Sequence, residues 1–191
     1  MKIWPGATVS VIRSSTSVTR PRRDTTSTLS RGFRRRALAS RGFILASLDE
    51  NWINGALRGE NDGRAWLLLK HLDAWKQFNT AKDGPLAGKV DMTRIALMGH
   101  SRGGEAAATA AAFNTLSYYP DDFKQKFDFH YAIKAVVAIA PVDGQYKPTG
   151  QFTPLENVNY FIMHGSHDGD VSTAVGLRQY ERLKFSGDQP W

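Results

Sequence analysis

The sequence predicts an α/β fold in which one mostly parallel β-sheet is covered by helices on both faces. The main observation is an alternation along the chain, because short and almost wholly apolar stretches are followed by longer stretches with helical periodicity. Apolar strands of this kind are typical of a parallel sheet whose two faces are both buried. A length of 191 residues suits one domain with a sizeable core, and no internal repeat is present.

The predicted elements all follow residue 37. Strands are predicted over residues 43–48, 94–98, 135–140 and 158–163. Helices are predicted over residues 64–78, 103–113 and 173–185. In the first helix, apolar residues recur every three positions, and Asp62 is its predicted N-cap. The second helix is rich in alanine, and Pro141 ends the third strand.

The N-terminal segment differs in composition from the rest of the chain. Residues 1–48 contain ten Lys and Arg against one acid, whereas residues 49–191 contain fifteen against seventeen. The net charge of +7 therefore belongs to the N-terminal quarter. We interpret residues 1–36 as a basic leader rich in Ser, Thr and Arg that lies outside the fold, and residues 37–191 as the folded domain. Within the leader, residues 9–12 form the one strand-like patch.

Three interpretations of this leader compete: an unstructured or wrongly translated segment, an organelle transit peptide, and a basic arm that binds nucleic acid. The first is preferred, and nucleic acid is not expected as a partner because aromatic residues are not interleaved with the basic ones. The segment lacks the apolar region of a secretory signal, and no apolar run approaches the roughly 20 residues of a membrane span. The sequence contains no cysteine, which excludes disulfides and a cysteine nucleophile.

The motif with the clearest chemistry is Gly99-His100-Ser101-Arg102-Gly103, which lies between a predicted strand and a predicted helix. A serine that projects from a sharp strand-to-helix turn crowds the residues two before and two after it, so glycine is expected at both places. Ser101 is the predicted nucleophile, at a helix N-terminus that favours developing negative charge. The backbone N–H of Arg102 is the predicted oxyanion donor.

This motif and two further segments resemble the α/β-hydrolase superfamily. The segments are Asp91 to Gly104, Val136 to Asp143 and Met163 to Val171, and the resemblance covers residues 37–191. The chain is most similar to the branch that includes dienelactone-hydrolase-like, chlorophyllase-like and polyester-hydrolase-like esterases. The resemblance implies a hydrolase of carboxylic esters that needs no cofactor or metal, with a small-molecule or lipid-like ester as substrate.

The resemblance also implies an acid that orients a catalytic histidine. Asp168 matches its place, on the turn after the last predicted strand. Asp170 is its near neighbour, and Asp143 is the alternative because some relatives place the acid one strand earlier. A turn-capping role is the competing interpretation of all three aspartates.

The histidine of the family's Ser–Asp–His order is missing from this sequence. The five histidines, at positions 71, 100, 130, 164 and 167, all precede Asp168. His167 is a weak substitute because it adjoins the acid, and a metal cluster of the residues at 164, 167, 168 and 170 is a further minor alternative. The glycine-rich oxyanion loop expected before residue 43 is also missing. The strand of that loop belongs between the strands at Phe43 and Ile95, and residues 9–12 are its candidate substitute.

These absences indicate that residues 37–191 are a partial α/β-hydrolase domain. We expect a fragment, or an altered reading frame, of a longer esterase, and the catalytic activity of the sequence as printed is doubtful. Two rival functions stay open. The first is acyl transfer at the same site, and the second is a non-catalytic binding protein that uses the basic arm.

Overall fold

The computed structural model describes residues 8–11, 38, 40–48, 50, 53 and 59–187. The strands are β1 (Thr8–Val11), β2 (Ile44–Ala46), β3 (Asp91–His100), β4 (Tyr118–Tyr119), β5 (Asp122–Lys126), β6 (Ile133–Ile139), β7 (Leu155–Glu156), β8 (Asn159–Met163) and β9 (Leu183–Lys184). The helices are α1 (Asn61–Thr80), α2 (Arg102–Phe113) and α3 (Leu177–Glu181), with a 3-10 turn at Pro148–Gly150.

The main sheet has five strands in the order β2-β1-β3-β6-β8, and every neighbouring pair in it is parallel. Two small sheets accompany it: β4 and β5 pair in antiparallel orientation, and β7 and β9 pair in parallel. The predicted strands at residues 43, 94, 135 and 158 correspond to β2, β3, β6 and β8. The prediction of an α/β fold with a mostly parallel sheet is therefore confirmed.

Strand β1 contains residues 9–11 of the strand-like patch and takes the place that the resemblance assigned to a missing strand, while residue 12 lies outside the described ranges. Strand β1 pairs with β2 on one side and β3 on the other, so that Val9 aligns with both Ile44 and Ile95. Thus β1 belongs to the sheet although it lies within the segment interpreted as a leader. The rest of residues 1–36 lies outside the described ranges. The domain boundary after residue 36 stays a prediction.

Helix α2 packs on β3 and β6, and α1 packs on α2. Alternate residues of β3 and β6 face these helices, as the alternation of a strand requires, and Ile95, Leu97 and Val136 are fully buried there. The described helices α1 and α2 form one layer on the sheet; helical cover of the opposite face stays a prediction. Within the described residues, no helix combines the length and the apolar character that crossing a membrane requires.

The N-cap prediction for α1 is wrong. The helix begins at Asn61 and its N-cap is Glu60, which makes no side-chain capping bond. Asp62 lies inside the first turn, where a carboxylate interacts favourably with the helix dipole. Its carboxylate accepts a hydrogen bond from the hydroxyl of Tyr119, so its role is to tie α1 to the β4–β5 hairpin.

The predicted helix at residues 173–185 is correct only in its middle, where α3 spans five residues. Ala174 has a positive φ of 48°, which ends helical geometry before α3. A Cβ on Gly176 would overlap Pro141, so this residue fits only as glycine against the loop after β6. Beyond α3 the chain pairs with β7 as β9 instead of continuing as a helix.

A fully buried arginine joins α1 to the loops before it. Arg64 is 0% exposed and donates to Glu50 at 3.1 Å and to Glu60 at 2.9 Å. Glu60 also accepts a hydrogen bond from Arg102 at 2.9 Å. Burial raises the pKa of Glu60, but the hydrogen bonds from the two arginines outweigh it and hold the pKa below its ordinary value. The carboxylate of Glu60 is therefore ionised at neutral pH.

Replacing Arg64 is expected to destabilise the fold strongly. Arg64→Leu removes the buried guanidinium that Glu50 and Glu60 share, and removal of one member of a buried ion pair costs about 3–5 kcal/mol. The free energy of unfolding from urea titration measures the loss. The control is Lys70→Leu, because the pair of Lys70 with Asp73 is exposed and such pairs contribute about 0–1 kcal/mol. Equal effects of the two substitutions would contradict the assigned role of Arg64.

Candidate active site

Ser101 lies between the last residue of β3 and the first residue of α2, at the predicted turn. Its backbone has φ 55° and ψ −123°, a conformation that is strained for a residue with a side chain. The backbone N–H of Ser101 donates to the carbonyl of Ile139 at 3.0 Å, and its own carbonyl accepts from Gly104 at 2.9 Å. Its side chain makes no capping bond to α2. The hydroxyl is therefore not committed to the helix.

The two glycines of the motif allow this turn to close. A Cβ on Gly99 would overlap the carbonyl of Gly103, and backbone atoms cannot move aside as a flexible side chain would. Gly104 packs closely against the loop after β6, because a Cβ on Gly104 would lie 2.7 Å from the Cβ of Pro141. Thus strand, turn and helix come within contact distance only because these positions carry no side chain.

Ser101 opens into a cavity of about 400 Å³, within the range of small-molecule sites. Three valines supply its apolar surface, and Ser, Thr, Gln, Asp and Arg supply the polar surface. The cavity is lined by Ser101, Arg102, Val142, Gln145, Asp170, Val171, Ser172, Thr173 and Val175. These residues come from three parts of the chain: the β3–α2 turn, the loop after β6 and the turn after β8.

Arg102 has a second role that the sequence did not indicate. It is the first residue of α2, where helix N–H groups have no acceptor inside the helix, as the oxyanion prediction requires. Its guanidinium also lines the cavity and donates to Glu60. The side chain is thereby anchored to the buried cluster around Arg64. Sequence spacing cannot reveal this contact, because Glu60 and Arg102 are 42 positions apart.

Asp168 lies on the turn after β8, next to the cavity. Its Oδ1 accepts hydrogen bonds from the N–H groups of Val171 and Asp170, each at 2.9 Å. These two bonds, the one from Val171 first, hold the pKa of Asp168 below its ordinary value. His164 and His100 are close enough to act electrostatically in the same direction. Asp168 is therefore a carboxylate that remains ionised.

The two alternative acids have different surroundings. Asp143 is buried, with a side chain 3% exposed, and both of its oxygens accept from the guanidinium of Arg182 at 2.8 Å. That pairing connects the loop after β6 to α3. Asp170 is exposed and lines the cavity, and its N–H donates to Asp168. Of the three aspartates, Asp143 thus has its oxygens committed to an ion pair.

All five histidines are described by the structure, and none is among the described residues that line the cavity. His100 adjoins Ser101 but its side chain is exposed. His71 contacts the carbonyl of Leu67 on α1 at 2.9 Å, and His167 contacts the hydroxyl of Ser166 at 3.0 Å. Nδ1 of His164 is buried and has no hydrogen-bond partner in the part of the chain that the structure describes.

The histidines and acids after β8 were also considered as a metal cluster. Across the described ranges, the structure brings no three His, Asp or Glu side chains together in a way that could hold a metal ion. Asp168 directs its Oδ1 to backbone N–H groups. The turn that carries Asp168 is therefore held by hydrogen bonds from its own backbone N–H groups.

Comparison with known proteins gives two matches. Residues 25–118 match the family model described as "PETase: PET hydrolase-like", a range that includes the Ser101 turn and ends before Asp168. "Probable dipeptidyl-aminopeptidase B" of Arthroderma gypseum is 28% identical over 137 residues, which is 62% of this chain. The chain spans only 14% of the length of that relative.

The sheet order, the strand–turn–helix at Ser101 and these matches define the class of protein. It has the α/β-hydrolase fold, and both matches point to a hydrolase in general terms. Within that class the resemblance to polyester-hydrolase-like proteins is confirmed by the family match.

Closing the Ser101 turn is expected to depend on Gly99. Gly99→Ala forces a Cβ against the backbone of Gly103, and overpacking of this kind costs about 1–3 kcal/mol or more. Gly63→Ala is the matched control, because Gly63 lies in α1 with open space around its Cβ position. There alanine is expected to stabilise by about 1 kcal/mol. Thermal and urea unfolding of both variants checks the opposite signs; stabilisation by Gly99→Ala would contradict the close contact.

Proposed function

We propose that this chain is a serine hydrolase domain that acts on carboxylic esters, with Ser101 as the nucleophile. The observation that supports the proposal best is the strained backbone of Ser101 at the β3–α2 turn, with its side chain uncapped and beside a 400 Å³ cavity. Strain at such a position has a physical rationale when it presents a reactive group to a ligand. The polyester-hydrolase-like match supports esters as the substrate class.

In the proposed reaction, Oγ of Ser101 attacks the ester carbonyl carbon while its proton passes to a base. The carbonyl oxygen becomes an oxyanion, which accepts a hydrogen bond from the N–H of Arg102. Collapse of this intermediate expels the alcohol, which takes the proton from the base and leaves an acyl-serine. Water then repeats the sequence and releases the acid. Asp168 orients the base and stabilises its cation.

The base in this proposal is not one of the five histidines of the sequence. None of them lines the described part of the cavity, and those at 71, 130 and 167 lie at other contacts or on exposed loops. A positioned general base contributes about 10²- to 10⁴-fold to such reactions, so the chain alone is expected to be slow.

Peptide hydrolysis is the second candidate, because the relative of Arthroderma gypseum is named as a dipeptidyl-aminopeptidase. The same nucleophile and oxyanion donor suit an amide carbonyl. A dipeptidyl p-nitroanilide measured beside a p-nitrophenyl ester separates the two candidates. Ester hydrolysis is preferred, because the family match covers the Ser101 turn within 94 consecutive residues, 25–118.

The nucleophile is tested by chemical rescue. Wild-type chain is expected to hydrolyse p-nitrophenyl acetate slowly, and added imidazole is expected to increase the protein-dependent rate severalfold by supplying the missing base. Ser101→Ala removes this increase, whereas Ser117→Ala, an exposed serine before the β4–β5 hairpin, retains it. Rates are corrected for hydrolysis by imidazole alone. An unchanged increase in Ser101→Ala would refute Ser101 as the nucleophile.

The base assignment has its own variants. Replacing His100, His164 or His167 singly by alanine is expected to leave the slow rate without imidazole unchanged. Loss of that rate in one of these variants would identify the replaced histidine as the base, contrary to the proposal.

The acid is tested by its effect on imidazole binding. Asp168→Asn is expected to raise the imidazole concentration for half-maximal rescue by about tenfold, because a hydrogen bond from imidazolium to a carboxylate is lost. Asp170→Asn is the matched control and is expected to change it less. Asp143→Asn is expected to lower the melting temperature instead, since it breaks the buried pair with Arg182. A larger effect of Asp170→Asn on rescue would assign the acid to Asp170.

A further inference from the structure

Glu105 is a buried carboxylate that the proposed reaction does not use. It lies on α2 four residues after Ser101 and is 3% exposed. Burial of an ionised carboxylate is unfavourable unless hydrogen bonds compensate for the lost water. Its partners therefore indicate what the charge is for.

Those partners are backbone N–H groups from one loop. Oε1 of Glu105 accepts from Gly144 at 2.7 Å, Gln145 at 2.9 Å and Tyr146 at 3.1 Å. Oε2 accepts from the side-chain amide of Asn61 at 2.7 Å. Three successive N–H groups that converge on one oxygen form a concave anion site, and the positive φ of 96° at Gly144 makes that geometry possible.

The same loop forms one wall of the cavity at Ser101. Val142 and Gln145 both line the cavity, and Gln145 is the middle one of the three residues that Glu105 holds. On the far side of the loop, the ring of Tyr146 packs edge-on against Phe113 of α2. The loop is thus fixed to the helix that begins at the predicted nucleophile.

We propose that Glu105 is a positioning residue that fixes this wall relative to Ser101 and thereby sets which acyl groups the site accepts. The inference rests on the proposed ester hydrolysis. Ser101 and Arg102 are held by β3, β6 and α2 and do not need the contact with Glu105. Loss of Glu105 therefore affects the binding of larger substrates more than the chemical step.

Amide exchange tests the contact independently of activity. In Glu105→Ala, exchange at residues 144–146 is expected to accelerate by at least about tenfold, because each N–H loses a charged acceptor. Glu181→Gln, an exposed glutamate on α3, is the control and leaves exchange at these positions unchanged. Exchange that stays slow in Glu105→Ala would overturn the inference.

A swapped pair distinguishes positioning from general stability. Glu105→Gln keeps an oxygen for the loop but directs an amide group at Asn61, which accepts from it only after the Asn61 amide flips its Oδ1 into the place of Nδ2. Adding Asn61→Asp restores a donor–acceptor pair, and the first turn of α1 favours that negative charge. Exchange at residues 144–146 is expected to slow again in the double variant. Exchange as fast as in Glu105→Gln alone would contradict the assigned geometry.

Kinetics in the presence of imidazole supply the functional result. For Glu105→Gln, KM is expected to rise by about three- to tenfold with p-nitrophenyl hexanoate and less with the acetate, while kcat changes little. The double variant is expected to recover the KM. Equal effects on both esters, or a loss in kcat alone, would overturn the specificity role. Absence of Ser101-dependent hydrolysis in the wild type would instead refute the proposed function, and normal exchange protection would then show that the loop is not the cause.

Discussion

The structure depends on one close contact, the approach of Gly99 to Gly103 across the Ser101 turn. Because Gly99 has no Cβ, β3 can lead directly into α2 and the helix can lie on β3 and β6. Strand β3 is the third of five strands in the sheet, so its end fixes the position of the turn relative to the neighbouring strand ends. The strained φ of Ser101 is maintained because both its N–H and its carbonyl are bonded to these elements.

Near the Ser101 turn, four carboxylates differ in their hydrogen-bond and ion-pair partners. Asp143 and Glu60 are paired with arginines, Glu105 is enclosed by N–H groups, and Asp168 is bonded only by its own turn. Burial raises the pKa of Glu105 above its ordinary value despite its hydrogen bonds, whereas the half-buried Asp168 has a lowered pKa because backbone N–H groups bond to it. Asp143, Glu60 and Glu105 thus have oxygens bound in pairs or loops, whereas the second oxygen of Asp168 has no hydrogen-bond partner in the part of the chain that the structure describes.

Periodicity and turn chemistry were sufficient to predict the sheet and the Ser101 turn. Apolar runs at Ile95 and Val136 give buried strands, and Gly99 with Gly103 specifies the turn, because these are local requirements. The buried charges were beyond prediction: Arg64 occupies a position where the helical pattern gives no reason for burial, and its partners lie on loops. The helix predicted at 173–185 is shorter than expected because Ala174 has a positive φ and because residues 183–184 pair with β7, a strand distant in sequence.

Pro141 also contacts both the segment that carries the proposed nucleophile and the segment that follows the proposed acid turn. The hydrogen bonds of Asp168 come from residues two and three positions later, so the turn can form without help from the rest of the fold. Its distance from Ser101 must be set by other contacts. Pro141 packs against Gly104 behind the nucleophile and against Gly176 after the acid turn, and both glycines lack the Cβ that would push the segments apart. The ring of Pro141 thus lies against segments from both halves of the proposed site, and Val171 on the proposed acid turn is buried. An imidazole placed between Asp168 and Ser101 would meet groups whose spacing is already determined before it binds.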